Sequence, residues 1–328
     1  MTAGQRAVLT APGVVALQAF DLPQPAAGQA LLRARRTLIS PGTERAFFLD
    51  LPNTHVPFPL YPGYSFVGDV IACGESVDSL QVGDRVACTA HHASHALMNA
   101  RDCHKVPAQL HDDRAAFFQL LAIAMQAVRK ARIELGEAVL VLGAGVVGML
   151  AMRLAQLSGG MPVLGVDVDA RRLEIARQVG ADAAIISTES LDDDVRRALD
   201  GQAPAVVIEA TGMPQLVARA FQLAAAGGRV VLLGSTRGES DGVNFYRDVH
   251  KKGLRIIGGH ESARPSHDNS PGYWTKRSEQ ALCLQLLAQE RVDVSPLLSH
   301  RYGWRDFARA YDHLAEWDRN ALGMLIEW

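Results

Sequence analysis

The chain has 328 residues, 48% of them hydrophobic and 21% charged, with 33 Lys and Arg against 35 Asp and Glu. That length suits two domains with sizeable cores, and the ordinary composition excludes disorder as the main state. A formal charge of −2 offers no global basic field to nucleic acid or to an anionic membrane surface, and the longest apolar run, 138–152, is broken by three glycines and is too short for a membrane span. The first residues carry no apolar signal segment, and Cys73, Cys88, Cys103 and Cys283 show no CxxC spacing, so a reduced, cytoplasmic protein is expected. Residues 1–115 read as short strands separated by turns, with strand-like stretches at 30–36 and 66–72. The segment 50–65 between them carries Pro52, Pro57, Pro59 and Pro62 and reads as loop. Gly83-Asp84 reads as a turn entering a strand at 85–88.

From Asp113 to Arg132 the spacing becomes helical, with Ala116, Leu120, Ile123, Ala127 and Ala131 on one face. Strands at 138–142, 163–168, 205–209, 230–233 and 254–257 then alternate with helices at 147–157, 171–179 and 217–226, the last two closed by Gly180 and by Gly227-Gly228. Such alternation predicts a parallel sheet covered on both faces, an α/β fold. Residues 263–275 read as loop, and 278–289 and 304–316 as helices.

The strand at 138–142 runs into Gly143-Ala144-Gly145-Val146-Val147-Gly148. This is G-x-G-x-x-G at a strand-to-helix junction. The first glycine allows the tight turn, the second lets the backbone approach a diphosphate, and the third lets helix pack on strand. The anion would rest on the helix N-terminus. Asp167 closes the second strand nineteen residues after Gly148, where an acid holds the ribose 2′-OH of NAD and repels the 2′-phosphate of NADP. Asp169 reads as the cap of the following helix. Arg171 and Arg172 are the counter-argument, since either could contact a 2′-phosphate; Arg172 could instead stack on adenine. NAD is therefore expected ahead of NADP.

These motifs resemble the medium-chain dehydrogenase/reductase superfamily along nearly the whole chain. Pro62-Gly63-Tyr64-Ser65-Phe66-Val67-Gly68 resembles the P-G-H-E-x-x-G segment of its GroES-like domain, and Val82-Gly83-Asp84-Arg85-Val86 its V-G-D-R-V turn. Leu135-Gly136-Glu137 before the glycine turn, then Glu209-Ala210-Thr211-Gly212 and Gly227-Gly228-Arg229-Val230, resemble its Rossmann domain, and Leu298-Ser299-His300-Arg301 with the strand-like 323–328 resembles its C-terminal return. The resemblance implies a GroES-like, β-rich catalytic domain at 1–119 and 263–328 and a Rossmann doubly wound parallel sheet at 120–262, with the substrate cleft between them. It also implies a cofactor site of Gly143, Ala144, Gly145, Val146, Val147, Gly148, Asp167, Arg172, Thr211, Gly212 and Gly234. Relatives pair their last Rossmann strands, so a homodimer or homotetramer is expected, with 254–257 as the apolar edge.

The superfamily's zinc ligands do not carry over. Ser40 or Pro41 stands where a Cys is expected, Tyr64 where a His is, Ser65 where an acid is, and Phe118 or Gln119 near the third ligand; the four-Cys lobe is also missing. No metal is expected. Two zinc-free subgroups share these features. The dehydrogenase of bacteriochlorophyll side-chain synthesis has a segment like Ile39-Ser40-Pro41-Gly42-Thr43-Glu44-Arg45. The dehydrogenase half of two-domain oxidoreductases of polysaccharide synthesis has segments like 62–65, 94–96 and 272–277.

Without zinc, side chains must handle the hydroxyl proton. The candidates are Tyr64 at a zinc-ligand position, Thr43 on the relay path of zinc relatives, Glu44 as the acid behind the metal, placed to orient Tyr64 or Arg45, and His95 as acid or base. Packing or structural hydrogen bonding is the alternative for each. His91, His92 and His95 with Cys88, Cys103 and His104 form the densest ligand-capable cluster; in a continuous strand His91 and His95 would share a face opposite His92. Tyr246, Arg247, His260, Glu261, His267, Asp268, Tyr273, Trp274, Lys276 and Arg277 crowd a late segment suited to a polyhydroxylated or anionic small molecule, or to a solvated loop. The leading expectation is an NAD-dependent, zinc-independent oxidoreductase of a secondary alcohol or its ketone, of a sugar or cyclitol. The alternatives are a C=C reductase of the same superfamily and a non-catalytic nucleotide-binding protein.

Overall fold

The computed structural model describes residues 3–54, 56–267, 274–316 and 320–328; Asp268 and Tyr273 lie outside the described residues. Two compact units are formed, Met1–Gln119 with Gln280–Trp328, and Leu120–Glu279.

The first unit opens with an antiparallel hairpin, β1 (Ala3–Ala11) and β2 (Val14–Asp21). Strand β3 (Gln29–Ile39) runs into helix α1 (Pro41–Phe48). Pro41 at the first helical position explains the start, because that N–H has no intrahelical partner to lose. Then come β4 (Phe66–Cys73), β5 (Arg85–Cys88), β6 (His95–Asn99), β7 (His104–Lys105) and the short α2 (Asp112–Ala115). Helix α3 (Phe118–Ala131) follows. The expected helix over 113–132 is thus two helices rather than one.

In the second unit β8 (Val139–Leu142), α4 (Val146–Leu157), β9 (Val163–Asp167) and α5 (Ala170–Val179) match the predicted alternation. Next come β10 (Ala183–Ile186) and α6 (Leu191–Ala198), neither of which was read from the sequence. The set closes with β11 (Val206–Glu209), α7 (Pro214–Leu223), β12 (Arg229–Leu232) and β13 (Arg255–Gly258). Helix α7 starts at Pro214 and ends before the expected glycines. The six strands are parallel in the order β10-β9-β8-β11-β12-β13, which is the doubly wound order 3-2-1-4-5-6. All four residues of β8 and of β11 are buried, as strands covered on both faces require. Leu140, Leu142, Leu164, Val207 and Val230 pack there with Leu191, Val195 and Phe221.

Helix α8 (Lys276–Ala288) carries the chain back to β14 (Leu298–Gly303), α9 (Phe307–Ala315) and β15 (Gly323–Glu327). In the sheet of the first unit the order is β14-β15-β3-β4-β5-β7, with β6 also on β3. The return to this unit falls at Glu279/Gln280, not at 263. The physical reason is Arg264, which is buried, paired with Glu279 and bonded to Ala122 O at 3.4 Å; it ties Glu279 to the second unit. Among the described residues no helix is long and apolar enough to cross a membrane.

Candidate functional site

In the second unit the glycine turn lies at the C-terminal end of β8, in the middle of the sheet. Gly143 has φ +100, and a Cβ there would come within 2.7 Å of Thr211 Cγ2; a Cβ on Gly148 would come within 2.0 Å of Gly143 O. A side chain at either position would break the turn. Around Gly145 the space for a Cβ is open, and Gly145 is the N-cap of α4, with Ala144, Val146 and Val147 beside it. This is a concave helix N-terminus with no side chain in the way, fit for a diphosphate.

Asp167, ending β9, accepts the Ala144 N–H at 2.7 Å and the Asp169 N–H at 3.0 Å. Asp169 caps α5, as expected, by accepting from the Arg171 and Arg172 N–H groups. Arg172 sits in the first turn of α5.

Glu209, which ends β11 and is fully buried, was quoted in a motif but given no role. It accepts from the Thr211 N–H at 2.7 Å, from the Thr211 hydroxyl, and from the Gly212 N–H. Burial pushes its carboxyl up, while those bonds oppose the shift. Gly234 N–H donates to Glu209 O at 2.8 Å. Thr211, Gly212 and Gly234 are thereby gathered at the end of β11, beside the glycine turn.

In the first unit Glu44, 1% exposed on α1, takes the Ser40 N–H at 2.8 Å on Oε1 and two groups on Oε2: His92 Nε2 at 2.9 Å and the Tyr311 hydroxyl at 2.5 Å. His92 Nδ1 lies 2.7 Å from Thr37 Oγ1, which also accepts from Trp328 Nε1 at 2.9 Å. Burial, then Glu44 and nearby Tyr64, raise the Tyr311 phenol well above its usual value. Thr43 and Tyr64 are half-buried beside this chain of side chains, on α1 and on the loop before β4. Arg45 Nε donates to Leu314 O at 2.9 Å.

The histidine on Glu44 is His92, because 91–94 is not a continuous strand. His95 lies on β6 at 3.0 Å from Ser94 Oγ, in an open pocket of about 560 Å³ with Arg33, Arg35, Arg36, Asp69, Asp112 and Trp328. None of Tyr64, Thr43 and Glu44 lines that pocket. Burial and Arg33 lower the His95 pKa. His91 contacts Gly63 O and His104 contacts Gln280. The free thiol of Cys88 is hydrogen-bonded to that of Cys103, which together with burial drives it well up. His92 carried no sequence signal that separated it from its neighbours, and Tyr311 carried none at all.

A zinc ion does not fit the residues at the superfamily's ligand positions. Ser40 offers its N–H to Glu44, the Ser65 hydroxyl donates to Ala116 O at 2.5 Å, and Gln119 accepts from Gln280 at 2.6 Å. Among the described residues no group of three His, Cys, Asp or Glu is placed to hold a metal.

Comparison with known proteins gives a consistent lineage. Residues 27–150 match the family described as alcohol dehydrogenase GroES-like domain, and residues 146–271 the family described as zinc-binding dehydrogenase. The chain is 26% identical to an L-threonine 3-dehydrogenase of Paraburkholderia phymatum, over 97% of each chain. Among solved structures it resembles a short chain alcohol dehydrogenase of Escherichia coli CFT073 in complex with NADH, at TM-score 0.86, 20% identity and full coverage of both chains. It also resembles a zinc-binding dehydrogenase of Sinorhizobium meliloti 1021 bound to NADP, at TM-score 0.82, 22% identity and full coverage of both. With both domain families matched in order, on a GroES-like β unit and a doubly wound parallel sheet, the chain belongs to the medium-chain dehydrogenase/reductase superfamily of oxidoreductases.

Proposed function

We propose that this oxidoreductase uses NAD(H) to interconvert a secondary alcohol, of a sugar or cyclitol, and its ketone, without a catalytic zinc. The observation that carries the cofactor reading is the Asp167 carboxylate set against the glycine turn, 2.7 Å from the Ala144 N–H. An adenosine ribose on that turn meets an acceptor for its hydroxyls, and a 2′-phosphate meets a like charge.

NAD supplies a hydride acceptor when bound. The chain's own residues do the rest. The N-terminus of α4 and the open space over Gly145 hold the diphosphate. Glu209 keeps Thr211 and Gly212 in place beside it. In the first unit Tyr64 and Thr43 supply the hydroxyls that exchange a proton with the substrate oxygen, and Glu44 stands behind them as a buried acceptor. Neutral hydroxyls at the superfamily's metal-ligand positions favour this route over a metal-assisted one.

The test is NAD reduction with L-threonine, (2R,3R)-butanediol, sugar alcohols and cyclitols, with NADPH-dependent enone reduction run beside it. Turnover on an alcohol should survive chelators, and elemental analysis should find no stoichiometric zinc. Tyr64→Phe should lower kcat by about two orders of magnitude with NADH affinity little changed. One zinc per chain, or a preference for NADP(H), would overturn the reading. Faster turnover of an enone would assign a C=C reductase instead.

A further inference from the structure

His92 is fully buried and lies against Gly63, the neighbour of Tyr64, and Glu44, the neighbour of Thr43. Gly63, next to Tyr64, has φ +94, and a Cβ there would meet the His92 ring at 2.5 Å, so the imidazole lies directly on the turn that carries Tyr64. The His92 N–H donates to Pro62 O at 2.9 Å, fixing the same turn a second time. Through Nε2 the ring reaches Glu44 on α1, the residue after Thr43, and the Phe307 ring of α9 packs edge-on at 5.2 Å.

With a neutral His92 the protons in this chain have one consistent arrangement. An indole N–H can only donate, so Thr37 Oγ1 accepts from Trp328 and its own proton is available to His92 Nδ1. His92 then carries its proton on Nε2 and donates to Glu44 Oε2, which also accepts from Tyr311, while Oε1 accepts from the Ser40 N–H. Three donors converge on one buried carboxylate, and each donor in the chain has an acceptor. The opposite tautomer would set a ring lone pair against a carboxylate oxygen, a mismatch that is costly where no water can intervene.

We propose that His92 is a positioning residue of the reaction: as an Nε2–H donor to Glu44 it locks the Tyr64 turn and the Thr43 helix into one frame. This rests on the assignment of Tyr64 and Thr43 as the proton-handling pair. It gives His92 the part that a metal ion plays in zinc-dependent relatives, that of a rigid tie between the two segments, but no contact with substrate.

Two measurements test it. The first is the 15N spectrum of the histidine rings of the full-length protein, with His92 assigned by the signals lost in His92→Gln. A proton on Nε2 is expected; a ring protonated on Nδ1 alone would overturn the placement. The second is kinetic, on whichever of L-threonine, (2R,3R)-butanediol and the sugar alcohols wild-type protein oxidises fastest. His92→Phe keeps a ring on Gly63 but removes both nitrogens. It should lower kcat about a hundredfold, the scale of loss from small misplacements, with the Kd for NADH unchanged. His92→Gln keeps a donor for Glu44 and should restore kcat to within about tenfold of wild type. Wild-type kcat in His92→Phe, or no rescue by Gln, would overturn the proposal. If His92→Phe does not fold, Tyr311→Phe takes its place: it removes one donor from Glu44 and should lower kcat about tenfold, while an unchanged kcat counts against the frame. If no alcohol is oxidised at all, the functional reading fails, whereas the 15N spectrum still decides the state of His92.

Discussion

Asp167 spends both carboxylate oxygens on backbone N–H groups, Ala144 and Asp169. Removing it therefore costs the turn a support as well as the ribose an acceptor. Asp167→Ala should weaken NADH by about 1.5–3 kcal/mol, the usual worth of hydrogen bonds to a charged group, and narrow the gap to NADPH. Asp167→Asn, which still offers one acceptor to Ala144, should lose less affinity yet relax the preference equally. Fluorescence titration with both nucleotides measures each. Asp167 and its neighbour Asp169 were legible because strand end and helix cap are local features of sequence. The imidazole on Glu44 was not. His91, His92 and His95 are chemically alike in the chain, and only tertiary burial separates the histidine at 0% exposure from the one lining an open pocket. Tyr311 lies 267 positions from its carboxylate partner, a distance no spacing rule spans.

At the scale of elements, the strand–turn–helix around β8 and α4 followed from its apolar run and its glycines, because a strand buried on both faces shows no alternation and stops at a turn signal. That turn allows two substitutions with opposite signatures. Gly148→Ala pushes a methyl into Gly143 O and should destabilise the protein by about 1–3 kcal/mol without cofactor, read as a lower thermal midpoint. Gly145→Ala meets no atom within 4 Å. It should leave the melting temperature of the apoprotein unchanged and still weaken NADH, since the methyl takes the space of the diphosphate. Equal NADH affinity in Gly145→Ala would remove the turn from the cofactor site. Strand β10 and helix α6 were illegible for a physical reason. Ala183-Ala184-Ile185-Ile186 is short and half alanine, and α6 has three aspartates in its first turn and buries only Leu191 and Val195. Helix α1 was hidden by its Ser-Pro-Gly start, which reads as a turn until Glu44 is seen reaching back to the Ser40 N–H.

At the scale of the molecule, β13 ends the parallel sheet, and among the described residues no strand pairs with its outer side. Arg255 and Gly259 turn their N–H groups to Gly228 O and Leu232 O, so the alternation of a strand directs the Ile256 N–H outward, and the Ile256 side chain is 41% exposed. An apolar, unpaired edge of this kind calls for a cover. A homodimer at micromolar concentration is the expected state. Ile256→Pro, which removes the outward donor and leaves the bonds to β12, should yield monomers that still bind NADH. Light scattering decides, and a wild-type monomer would count against the edge as an interface. The expected class, with its β-rich unit and parallel sheet, was legible from periodicity and from motif order. The point at which the chain returns was not, because it is set by a buried ion pair between Arg264 and Glu279.

The place of β15 has a consequence for synthesis. Its first four residues are fully buried, and it lies between β14 and β3. A ribosome making this chain emits the N-terminal 119 residues long before β14 and β15 exist, whereas the 160 residues of Leu120–Glu279 hold all the strands of their own sheet. The later-emerging unit is thus the first able to complete its sheet, and the earlier one waits with the 36–39 flank of β3 open until β15 has emerged. During that interval the nascent β3 is the segment that chaperones must shield, because an unpaired apolar strand pairs readily with a stranger.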